Sequence, residues 1–146
     1  MSVLTDIADA VTATLNAAVL AGAFSLPFTA ERGHLPERDL ADYSDLTVLV
    51  VVKGYEKIPI NRLQNQWTVA IDVGTIQHLA TDSKAEIDGL LTLVDQMATP
   101  LERRLEVVSA SWVGTASDPH FSRDHLQQKN TFFSVVTYSY LTVRPR

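Results

Sequence analysis

Residues 46–52 read LTVLVVV, and residues 66–74 read QWTVAIDVG. The first run is β-branched and apolar at consecutive positions, so it reads as a strand with apolar side chains on both faces, each face expected to be covered. The second alternates. Trp67, Val69, Ile71 and Val73 point one way, and Thr68, Ala70 and Asp72 the other, which is the two-residue period of a strand. Between them lies KGYEKIPINRLQN, residues 53–65, which reads as a long loop. The two strands are expected to pair antiparallel across it.

Upstream, residues 3–20 read as an amphipathic helix. Ile7, Val11, Leu15, Ala18 and Val19 recur at helical spacing. Thr5 or Asp6 suits its start, and Gly22 stands where it would stop. Residues 24–29 read as a short strand that Pro27 confines to a sheet edge or a bulge. Residues 30–45, AERGHLPERDLADYSD, form a polar connector, with a helical turn over 36–43 that Pro36 would open.

Downstream, Thr81, Asp82 and Ser83 are candidate caps for a second helix over 83–103. Its apolar stripe is Ile87, Leu90, Leu91, Val94, Met97, Ala98 and Leu101. Arg103 and Arg104 complement its C-terminal dipole, whereas Pro100 predicts a kink or an end one turn earlier. LEVVSASWVG, residues 105–114, reads as a strand, 114–130 as a polar loop, and TFFSVVTYSYLTV, residues 131–143, as a long final strand. In that strand Phe132, Val136, Tyr138 and Tyr140 oppose Phe133, Val135 and Leu141. The order α, β, β, β, α, β, β predicts one α+β domain over residues 1–146: a mostly antiparallel sheet of about four or five strands with two packed helices. If the third and fourth strands are parallel neighbours, their crossover is expected to be right-handed.

Composition narrows the chemistry. At 146 residues, 46% hydrophobic and 20% charged, the chain can bury a core without staples. It has no cysteine, which excludes disulfides, thiolate metal sites and cysteine nucleophiles. The net charge of −5 and the lack of a Lys/Arg run argue against a basic nucleic-acid footprint. The N-terminal stretch lacks a basic n-region, and Asp6 and Asp9 interrupt its apolar part, so it reads against a signal peptide. No continuous apolar run approaches the ~20 residues of a membrane span, so no membrane partner is expected.

Candidate sites are few. DPHFSRDH, residues 118–125, gathers Asp118, His120, Asp124 and His125, which are possible metal ligands. The segment has no helical pattern to hold His120 and His125 on one face, and its composition is that of a hairpin loop. No G-x-S-x-G, P-loop or G-x-G-x-x-G is present. Asp39, Asp42 and Asp45 read as a solvated, capping stretch rather than an acid–base pair, and His34 and His78 are isolated. Trp67 and Trp112 could stack a base or sugar but sit in alternating strands, where aromatics build cores. Tyr138 and Tyr140 share a face and suit either sheet core or a protein interface. The polar stretches 30–45, 53–66 and 114–130 are too long for tight turns, and long loops often carry contacts. No catalytic, cofactor-binding or metal residue is therefore assigned.

The starting helix, then FTAERGHLPERDLADYSDLTVLVVV, WTVAIDVG, the TDSKAEIDGLLTLVDQM helix and the closing FFSVVTYSYLTV together resemble the tail-terminator and neck proteins of long-tailed bacteriophages. The most telling part is RGHLPERDLADYSDLTVLVV, with an Arg, a Pro and an acid–Leu pair before the first long strand. Phe133–Ser134 followed by Tyr138 and Tyr140 adds to it. The resemblance covers nearly the whole chain and implies a structural virion protein made in the host cytoplasm. It implies a closed ring, usually a hexamer, that caps the tail tube and joins it to the head connector, with DNA only as passing cargo. It implies neither catalysis nor a cofactor. A head–tail adaptor or stopper, or a minor tail protein, is the nearest alternative. From other classes, a small metal-dependent hydrolase built on Asp118, His120, Asp124 and His125, or a ligand-binding module using Trp67 or Trp112, stays open.

Overall fold

The computed structural model describes residues 2–33, 46–79, 84–117 and 131–145. Along the chain run α1 (Val3–Leu20), β1 (Thr29–Arg32), β2 (Thr47–Pro59), β3 (Gln64–His78), α2 (Lys84–Leu101), a 3-10 turn (Glu106–Val108), β4 (Ser111–Ala116) and β5 (Thr131–Pro145). The strands form one five-stranded sheet in the order β1-β2-β3-β5-β4. All pairs are antiparallel except β1–β2. This is the expected α+β class with a mixed sheet. β3 and β4 are not neighbours, because β5 lies between them.

The face periodicity of the strands is as read. Trp67, Val69, Ile71 and Val73 from β3, and Phe132, Val136, Tyr138 and Tyr140 from β5, join one core cluster with both helices. α1 contributes Ile7, Ala8, Val11 and Leu15, and α2 contributes Leu90, Leu93, Val94, Met97 and Leu101. Each Val, Leu, Ile or Met side chain among these, taken from water, stabilises the fold by about 1.5–3 kcal/mol. The LTVLVVV run is apolar on both faces for different reasons. Val48 and Val50 pack into the core under the helices, whereas Leu49 packs with Ile76, Val51 and Phe133 in a smaller cluster.

The helix ends differ in detail from expectation. Ser2, not Thr5 or Asp6, caps α1, its Oγ accepting from the Leu4 N–H. At the other end Ala23 N–H reaches the Ala18 carbonyl and Gly22 N–H the Val19 carbonyl, with Gly22 at φ 75°. That is a Schellman closure, which needs the left-handed residue that glycine supplies. By length and a mean hydropathy of 1.4, α1 would suffice to cross a membrane, although it holds no continuous apolar run. Its alanines raise the mean, and its Ile7, Val11 and Leu15 stripe is buried against the sheet. α2 ends at Leu101 with Pro100 in its last turn, so Arg103 and Arg104 lie beyond the helix rather than inside it.

Three strand boundaries move. The early strand is Thr29–Arg32 rather than 24–29, because Pro27 holds the preceding segment out of the ladder; Phe24 and Phe28 stack there at 5.3 Å. Asn16 fixes this edge strand from the helix side: its Oδ1 accepts from Ala30 N–H at 2.9 Å and its Nδ2 donates to the Ala30 carbonyl at 3.1 Å. The first half of the 105–114 strand is instead a tight turn. Leu105 and Ala110 exchange backbone bonds around the 3-10 segment, and Ser109 turns the chain at φ 50°. Thr142 Oγ1 to the Ser109 carbonyl, and Arg144 to the Val108 carbonyl, tie that turn to the end of β5.

The largest change concerns residues 53–65, read as a loop. β2 continues through them to Pro59 and β3 begins at Gln64, leaving only residues 60–63 as a turn. Gly54 and Pro59 break the sequence pattern without breaking the ladder. Gly54 follows a bulge, where the register shifts between Val52 and Gly54, and Pro59 closes a strand whose outer side has no partner there among the described residues.

Candidate functional site

Among the described residues β1 pairs with β2 as far as Arg32 opposite Val50. Beyond that point β2, β3 and β5 continue together, Pro59 opposite Asn65 and Asn65 opposite Arg144. β4 flanks β5 there as far as Ser111 opposite Leu141, so this end of the sheet, the arm, is four-stranded at its base and three-stranded only toward the 60–63 turn. On its helix side Tyr55 and Trp67 meet with ring centroids 5.1 Å apart, and Lys57 Nζ lies 5.0 Å from the Trp67 ring. Such a cation–π contact contributes about 0.5–1 kcal/mol at an exposed site.

The turn is held by its own polar groups. Leu63 N–H donates to Asn61 Oδ1 at 2.8 Å, Asn61 Nδ2 to Gln64 Oε1 at 3.2 Å, and Ile60 N–H to the Gln64 carbonyl at 3.2 Å. This bonding presents Ile60 and Leu63 outward, with Leu63 76% exposed. Tyr55, Ile58 and Val143 are exposed further down the arm. Apolar side chains concentrated on a projecting, locally ordered element mark a contact surface more than a solvated loop does.

Of the aromatic candidates, Tyr138 and Tyr140 are core. Both are buried, and the Tyr140 hydroxyl donates to the Leu101 carbonyl at 2.7 Å. Burial raises both phenol pKa values above their usual range. Glu102 and then Asp95 add to the effect at Tyr138, and Tyr138 and then Glu102 at Tyr140. Trp67 and Trp112 are half-buried at the margin of the core. The Trp112 Nε1–H donates to Thr115 Oγ1, which donates to Glu102 Oε1, both at 2.9 Å. That indole N–H is spent on a structural chain, and Lys57 and Tyr55 flank the Trp67 ring.

Asp118, His120, Asp124 and His125 lie outside the described residues, as do His34, Asp39, Asp42 and Asp45. His78 ends β3. Among the described residues no group of three or more His, Asp or Glu side chains could hold a metal ion. The exposed arm residues Tyr55, Ile58, Ile60 and Leu63 are what sequence reasoning missed. The available signal was the turn cluster NRLQN between two β-rich runs.

Comparison with protein-family models and with curated proteins finds no match for this chain.

Proposed function

We propose that this chain is a ring-forming structural subunit of the tail or neck of a long-tailed bacteriophage, with tail terminator the leading role and head–tail adaptor, stopper or minor tail protein the nearest alternatives. The ring, a homohexamer in this reading, caps the tail tube and joins it to the head connector. DNA passes through its lumen. The observation that carries the reading is the arm: a strand end with Tyr55, Ile58, Ile60 and Leu63 exposed, the kind of apolar surface that marks a contact site. The α+β arrangement is the one the sequence resemblance implies. A net charge of −5 suits a lumen along which DNA slides rather than sticks.

In this reading the protein works by assembly and position rather than by turnover. Its polar groups serve the fold: the Trp112–Thr115–Glu102 chain and the Asn16 clamp on β1 have structural partners. Native mass spectrometry across a concentration series tests the reading. A species of six 16.1 kDa chains, or a rise toward it with concentration, is the expected result. A monomer at every concentration overturns it.

A further inference from the structure

Two opposite edges of the sheet each leave a large apolar side chain exposed, and the register puts both at one level. Tyr55 of β2 stands opposite Val69, Val69 opposite Tyr140, and Tyr140 opposite Trp112 of β4, beside the bulge at Val113. Tyr55 is 55% exposed and Val113 51%. β2 has no outer partner there among the described residues, and β4 is the last strand on the other side. A charge stands next to each. Lys53, the extra residue in the β2 bulge, falls between Val52 and Gly54, which is the level of Thr115 and Gly114 on β4. Thr115 Oγ1 donates to Glu102 Oε1 at 2.9 Å and so fixes that carboxylate beside the β4 edge. The wider charge balance is complementary. Lys53, Lys57 and Arg62 stand against Glu56 on the β2 side. On the other side β4 is uncharged and α2 packs over β5; α2 and the residue after it carry Glu86, Asp88, Asp95 and Glu102 against Lys84. Asp88, Asp95 and Glu102 have no ion-pair partner among the described residues.

We propose that the β2 edge of one copy packs against the β4 edge of the next, with Tyr55 against Val113 and Lys53 facing Glu102. This rests on the ring reading and names its interface. Within one chain these groups cannot meet. β3 and β5 lie between the two edges, and three strand spacings of ~4.8 Å hold them roughly 14 Å apart. A closed ring relates its copies by rotation alone, so two different edges matched in level give a heterologous contact that repeats around it. Charge favours this pairing over a two-fold one. Two β2 edges would set Lys53 and Lys57 against the same cations, and two β4 edges would bring the acidic sides of two α2 helices together. Side chains make the contact. Lys53 and the bulges in β2 and β4 are features that keep a sheet edge from adding a strand.

The chain has no cysteine, so single thiols can be placed in an otherwise inert background. Tyr55→Cys and Val113→Cys chains of different tagged mass, mixed and mildly oxidised, are expected to give a disulfide dimer containing one of each. A chain carrying both is expected to give a ladder ending at ring size, since its own two thiols are too far apart to close on each other. Lys53→Glu is expected to weaken assembly about tenfold, and Glu102→Lys in the same chain to recover it. Val113→Asp, at an exposed side chain, is expected to weaken assembly likewise with an unchanged unfolding midpoint. Thermal unfolding of each variant controls for folding. A wild-type ring without the mixed cross-link overturns this interface and leaves the ring reading standing. So does a ring in which each single-thiol chain pairs with itself as readily as with the other. A monomer without cross-links overturns both.

Discussion

Asn16 shows how one side chain decides an edge. Its carboxamide makes two hydrogen bonds to Ala30, a buried residue on an edge strand of only four residues. Asn16→Ala leaves a buried N–H and carbonyl without those partners, at about 1–3 kcal/mol in total, to be read as a lower denaturant midpoint with unchanged slope. Gly22→Ala is expected to cost about 1 kcal/mol by the same assay, because φ 75° is strained for any residue with a Cβ. Tyr138 and Tyr140 set a pH limit. Their raised folded pKa values mean that the neutral phenols are favoured by folding. That contribution is fully present below the unfolded tyrosine pKa of about 10, and is lost as pH rises from there toward the higher folded values. Stability therefore falls on the alkaline side, and the phenolate absorbance of these two rings develops together with unfolding. Ionisation of both in a chain that keeps its far-ultraviolet dichroism would contradict that. These roles were only partly legible beforehand. Periodicity put Tyr138 and Tyr140 on one face, but it does not say whether a face meets helices or a neighbour. The partner of Asn16 lies on another element, so no local pattern shows it.

Among elements, those with a clean period were the most legible, and tertiary contacts or a bulge decided the rest. β3 and β5 alternate without a break over their centres, and their faces followed directly. The 105–114 stretch is β-branched yet forms a turn. Arg144 and Thr142 of β5 satisfy the carbonyls of Val108 and Ser109, a tertiary contact that overrides strand propensity. Arg144→Ala is expected to loosen this turn by about 1–2 kcal/mol, seen as faster amide exchange at Ala110 than at Val136. Uniform acceleration along the whole sheet would contradict a local role. The arm was hidden for the opposite reason: Gly54 and Pro59 are loop residues by propensity, yet a bulge and a strand end accommodate both. The order of elements and the core stripes were thus readable. The exposed apolar tip was not, because it depends on how far two strands stay paired.

At the scale of the whole molecule, a helical layer covers one face of the sheet while β2 and β3 run on past the described end of β1. The fold leaves apolar groups such as Leu63 and Val107 exposed at that end, where Arg144, opposite Asn65, holds the Val108 carbonyl. In the proposed ring a neighbouring copy would cover them. If the arm makes the contact, Leu63→Asp is expected to lower the assembled mass while leaving the unfolding midpoint of the subunit within about 0.5 kcal/mol of wild type, since Leu63 is on the surface. Equal loss of stability and assembly would point instead to a folding role for the turn. The most direct test of the central claim is the native mass of the wild-type chain over a concentration series. The account predicts a discrete ring, near six chains of 16.1 kDa, that dissociates toward subunits only on dilution. A 16.1 kDa species at every concentration would contradict it.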